Sequence, residues 1–126
     1  MELGEILILI GASVIIAWGI GHIVPTKAVV AGFDPLSTDN RRILTMEWLV
    51  EGVTLCFVGI LSLVVTLDLG ADAHGAMLVN YLLAGFLLVL AGVSALTGAR
   101  TSIIPMKLCP FVKTAVAVLL VLGSVL

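Results

Sequence analysis

The sequence predicts an all-α fold: a single four-transmembrane-helix bundle with short loops and both termini on the extracytoplasmic side. Three observations predict it. Of 126 residues, 61% are hydrophobic and 11% charged, with a mean hydropathy of +1.30; a soluble domain is about 45–50% apolar and about 25% charged. The apolar residues fall into four runs, about 3–24, 41–67, 76–98 and 111–126, and a helix needs about 20 residues to cross a bilayer. All six Lys and Arg fall on alternate connections, as an orientation set by positive charge requires.

Span one, about Leu3 to Val24, begins with Glu2 and Glu5 rather than a positive n-region and lacks a clear cleavage motif, so it reads as a retained span. Gly4, Gly11, Gly19 and Gly21 suit close helix packing. Pro25 stops it. In the first loop, Ala28 to Phe33 is apolar but too short to span, so it is either a short interfacial helix or a re-entrant turn. Ser37 to Asn40 is rich in helix N-cap residues and announces span two, about Arg41 to Leu67. A short acidic loop, Asp68 to Gly75, leads to span three, which carries a stripe of Ala84, Gly85, Ala91, Gly92, Ala95 and Ala99. The third loop is expected to run from Ala99 to about Pro110, with span four beginning at Phe111, near the short limit for crossing.

Lys27, Arg41 and Arg42 belong to residues 25–42, and Arg100, Lys107 and Lys113 to residues 99–113. The positive-inside rule makes both segments cytoplasmic and both termini extracytoplasmic. The expected location is a prokaryotic plasma membrane.

The organising stretch is span two, because Glu47 and Glu51 sit inside its apolar run, four residues apart on one helical face. Counted from Arg41, Glu47 lies roughly 9 Å and Glu51 roughly 15 Å into the membrane. An acid at that depth is costly and marks a functional-site hypothesis. Span one brings Trp18 and His22 to the same half, and span four brings Lys113. The candidate pocket or proton relay is therefore Glu51, Glu47, His22, Lys113, Trp48 and Trp18, with Arg100 nearby. Glu51 is the sharper acid. A dry interior would make it a proton donor or relay, Lys113 or His22 would hold it as a charged partner, and a hydrogen bond across the bundle would make it a packing device. Glu47, nearer the interface, reads as a solvated or Arg-paired acid, and the tryptophans as interface anchors or core residues.

Other chemistries find no support. His22 would be a metal or haem ligand only with a second ligand at its depth, and His74 falls on the other face, so no metal site is assigned and the cofactor is unknown. Cys56 lies mid-span and Cys109 is expected near the cytoplasmic surface, too far apart in depth for a disulfide, which argues against a vitamin K epoxide reductase-like thiol enzyme. No phosphate loop or Rossmann pattern occurs, and a formal charge of −2 implies no nucleic-acid partner.

Gly21-His22 at the end of span one, Phe33 in the next loop, and Trp48-Leu-Val-Glu51-Gly52 opening span two resemble the DoxX-like small four-helix membrane proteins. The overlap runs mainly from His22 to Gly59. A more distant similarity is to sterol-isomerase and sigma-2-receptor type bundles. The resemblance implies a compact bundle that is either a partner of a redox complex or a protein moving protons on a lipophilic substrate through Glu51, Glu47 and His22. The motif order of neither group is reproduced, so no activity is carried over.

The leading expectation is a subunit or interaction partner of a larger membrane complex, more a binding protein than an enzyme. The alternative is binding of, or proton-transfer chemistry on, a lipophilic small molecule in a cytoplasmic-side pocket centred on Glu51. A small oligomeric transporter is the third. Expected partners are the lipid bilayer, a protein partner or second copy, and a lipophilic small molecule.

Overall fold

Four helices long and apolar enough to cross a membrane make up nearly the whole chain in the computed structural model, which describes residues 1–126. They are α1 (Leu3–Ile23), α3 (Thr38–Leu69), α4 (His74–Leu96) and α5 (Ile104–Val125), with a short α2 (Thr26–Ala31) between the first two and a 3-10 turn (Gly98–Arg100) after α4. Residues 28–33, left open between a helix and a turn by the sequence, begin with the last residues of α2.

The local reasons are ordinary. Ser37 has extended backbone, and its side chain accepts a hydrogen bond from the Asn40 amide, so the chain enters α3 through an N-cap, at Thr38. Gly70, with φ of +91°, ends α3 in a conformation that a side chain would strain. At the end of α1, the His22 carbonyl accepts the Thr26 hydroxyl at 3.3 Å and the Trp48 indole N–H at 2.5 Å. These donors serve a carbonyl that a terminating helix leaves open.

One boundary differs from expectation. Residues 104–110, read as loop, form the first turns of α5, and Pro110 lies inside the helix. Pro105 occupies the first turn, where a missing N–H costs nothing. Pro110 sits one turn further in and forfeits only the bond to the Met106 carbonyl. The fourth span is therefore 22 residues long rather than near the short limit.

The helices follow one another around the bundle as α3, α1, α5 and α4, with α3 meeting α4 only sparingly. Ile8, Ile15, Leu55, Val58, Leu87, Val116 and Leu120 fill the centre. The outer surface is apolar as well: Phe57, Val64, Leu82, Val89 and Leu122 are exposed, whereas Lys113, Asn80, Ser62 and Thr66 are buried. Polar groups inside and apolar groups outside suit a hydrocarbon solvent.

The α1–α3 contact is a backbone contact. A Cβ built on Gly52 would lie 2.8 Å from the Gly19 carbonyl oxygen, and one built on Gly19 would lie 2.7 Å from the Gly52 carbonyl oxygen. Gly4 and Gly123 bring the start of α1 against the end of α5 in the same way, so both termini lie at one end of the bundle.

Near that end, Asn80 of α4 joins α4 to α3. The Ser62 hydroxyl donates to Asn80 Oδ1 at 2.6 Å, and Asn80 Nδ2 donates to Thr66 Oγ1 at 3.2 Å, all three residues being fully buried. Asn80→Leu is expected to cost about 1–2 kcal/mol, because Ser62 and Thr66 can turn back to their own helix carbonyls. Thermal unfolding in detergent followed by circular dichroism measures the loss, and a cost near zero would show that the network carries no stability.

Candidate functional site

The opposite end of the bundle holds a cavity of about 300 Å³ lined by residues of all five helices. His22 comes from α1, Val29 and Val30 from α2, Leu44, Glu47, Trp48 and Glu51 from α3, Val93 and Ser94 from α4, and Met106 and Cys109 from α5. The lining is mainly apolar with a few polar groups converging, the composition of a small-molecule pocket.

Its polar centre is an ion pair. Lys113 Nζ lies 2.5 Å from Glu51 Oε1 and 2.7 Å from Ser94 Oγ. The Lys113 side chain is 2% exposed and that of Glu51 33%, so the ammonium is buried and the carboxylate forms part of the wall. Lys113 thereby ties α3 to α4 from its place on α5. A buried ammonium needs such partners, since an unpaired charge in this position costs several kcal/mol.

His22 is held on three sides. Its Nδ1 lies 3.0 Å from the Trp18 carbonyl oxygen. A carbonyl only accepts, so Nδ1 donates a proton here and Nε2 is the nitrogen left for other partners. The Trp48 ring stacks on the imidazole at 5.2 Å between centroids, and Trp18 meets it edge-on at 6.1 Å. The Trp18 indole N–H in turn points at Cys109 Sγ, 3.4 Å away. A ring nitrogen of His22, the sulfur of Cys109 and a carboxylate oxygen of Glu51 all lie within 4.8 Å of one another.

Of the residues singled out from sequence, His22, Glu47, Trp48 and Glu51 line the cavity directly. Lys113 stands behind Glu51, and Trp18 stands behind His22 and Cys109. Glu47 is exposed at the mouth, and Arg100 is exposed outside the lining. His74 opens α4 at the other end of the bundle.

Two residues were missed. Cys109, expected near the surface in a loop, is a buried residue of α5 facing His22. Ser94 was not singled out from the sequence, yet it is the second acceptor for Lys113. A signal for Cys109 was present: it precedes Lys113 by four residues, so the two share a face once the helix runs through Pro110. Cys56 remains a free thiol elsewhere, 3.7 Å from the Ile16 carbonyl oxygen.

No protein-family model matches the chain, and no curated protein or solved structure matches it.

Proposed function

We propose that this small integral membrane protein binds a lipophilic small molecule in the cavity beside Glu51. The observation that carries the reading is the buried Lys113–Glu51–Ser94 arrangement forming one wall of an otherwise apolar cavity. An ion pair used only for packing could be sealed on every side, whereas this carboxylate is left open to the cavity. A polar anchor in an apolar recess suits a molecule with one polar end and a hydrocarbon body.

The orientation belongs to the same reading. All six Lys and Arg lie at the cavity end of the bundle, which we take as the cytoplasmic side of a prokaryotic plasma membrane, with both termini opposite. The molecule would then come from the inner leaflet. Glu51 and His22 are the groups we assign to any proton movement on it, in keeping with the resemblance to DoxX-like and isomerase-type bundles.

A second reading, a subunit of a larger membrane complex or an oligomer of this chain, draws on one specific observation. Gly85 and Gly92 of α4 are seven residues apart, and a Cβ on either would meet open space. Small residues bare on a membrane helix let another helix approach closely.

One purification tests both. Native protein, Glu51→Gln and Leu44→Trp are extracted gently, and everything that co-elutes is identified by mass spectrometry. Leu44→Trp fills the mouth without touching the ion pair, so it keeps the result readable if Glu51→Gln fails to fold. The cavity reading expects a lipid-like molecule with the native protein and its loss from both folded variants. A stoichiometric protein partner that stays with all three forms, with no bound small molecule, would replace it by the subunit reading.

A further inference from the structure

The geometry points to a transition-metal site of the zinc class formed by His22, Cys109 and Glu51, with its fourth position open to the cavity. The sequence assigned no metal here, because it offered His22 no second ligand at its depth. The fold supplies two, from α5 and α3, within 4.8 Å of each other and of the imidazole nitrogen.

The donor set is one sulfur, one nitrogen and one oxygen, the mixture zinc accepts. Tetrahedral zinc with bonds of about 2.0–2.3 Å holds its ligand atoms about 3.5 Å apart. Atoms already within 4.8 Å reach that spacing by small side-chain rotations. Three protein ligands and one free position are the pattern of a reactive rather than a purely structural zinc site.

The surroundings are what distinguish this cluster from a chance meeting of side chains. A metal-binding histidine commonly donates its other ring N–H to a carbonyl, which fixes tautomer and ring plane. His22 does so to Trp18, which leaves Nε2 as the nitrogen available to a metal. Stacking on Trp48 fixes the ring plane a second time. The Trp18 indole orients the sulfur by donating to it. The Lys113 bond uses one oxygen of Glu51, and a carboxylate has two. These partners belong to three different helices, so the site exists only in the folded bundle.

On binding, the Cys109 thiol releases its proton to water and a sulfur–metal bond forms; neither metal nor sulfur changes oxidation state. The thiolate and Glu51 then balance the two charges of the ion, leaving Lys113 without a full counter-charge. An anionic group in the open position would supply one. The inference rests on the cavity reading and sharpens its binding part, with His22 and Glu51 serving as metal ligands in place of proton carriers: the polar end of the lipophilic molecule would be an anionic oxygen donor such as a carboxylate.

The test uses cobalt(II) as the probe, added to the purified full-length protein in detergent. Expected are a thiolate-to-cobalt charge-transfer absorption in the near ultraviolet and the visible bands of four-coordinate cobalt, both displaced by zinc. Cys109→Ser should abolish the charge-transfer absorption while Cys56→Ser keeps it. His22→Gln should weaken cobalt binding by about 100-fold, since even loss of an outer partner of a ligand costs 10–100-fold. Circular dichroism shows whether each variant keeps its helices, and the native and Cys56→Ser proteins alone decide the matter should the others unfold. No charge-transfer absorption in these two proteins, or one that vanishes with Cys56→Ser, overturns the metal site. Absence of cobalt binding with a lipid-like molecule still co-eluting sinks the metal inference and leaves the cavity reading; absence of both sinks the two together.

Discussion

Replacing Glu51 by leucine is expected to destabilise the bundle by about 3–5 kcal/mol, and adding Lys113→Met to that variant to restore most of the loss. The single change leaves the Lys113 ammonium, 2% exposed, with only the Ser94 hydroxyl for company. A hydroxyl satisfies one of its three donors and none of its charge. Removing the ammonium as well converts the site to an apolar contact of similar volume, which proteins tolerate well. The two single variants should differ. Lys113→Met strands a carboxylate that is 33% exposed and reaches the cavity, so it should cost less than Glu51→Leu. Thermal denaturation of the four forms in one detergent gives the comparison. If the double variant is as unstable as the sum of the single ones, the two groups are not paired in the folded protein.

Gly52→Leu is expected to prevent α1 and α3 from docking, and Gly52→Ala to cost about 1–3 kcal/mol. The obstacle includes backbone as well as side chain: a Cβ at this position meets Ile23 Cγ1 at 2.6 Å, the Gly19 carbonyl oxygen at 2.8 Å and the Cβ of His22 at 3.1 Å, and the carbonyl cannot rotate away. Overpacking there moves a whole helix, and His22 moves with it. Ligand or cobalt binding should therefore fall more steeply in Gly52→Ala than stability does. Gly85→Ala provides the contrast, because its Cβ would meet nothing; it should be neutral or gain up to about 1 kcal/mol from helix propensity. Equal losses at the two positions would mean that the close approach of α1 and α3 does not hold the bundle together.

The helices were legible in the sequence because hydrophobic length is a coarse signal that survives without knowledge of tertiary contacts. Glu51, His22 and Lys113 were legible for a related reason: an ionisable group inside an apolar run has few places to go. Cys109 and Ser94 were not, for two different reasons. Pro110 suggested a loop, because proline usually interrupts a helix, yet early in α5 it forfeits a single backbone bond. Ser94 is a small residue among small residues, and only the position of Lys113 on a different helix gives its hydroxyl a task. Whether residues 28–33 would be helical was also undecidable locally. Six residues do not sustain a helix by themselves, so the six-residue α2 depends on packing against α3.

The sparse meeting of α3 and α4, clasped by Asn80 at one end and by Lys113 at the other, leaves the bundle one slack side. On the proposed cavity reading, a molecule that parts these helices would arrive sideways, out of the acyl chains. Occupancy of the cavity then follows the molecule's mole fraction among the lipids instead of its molarity in the buffer. Diluting such a sample with buffer at constant lipid leaves the cavity filled, whereas fusing it with empty vesicles drains it.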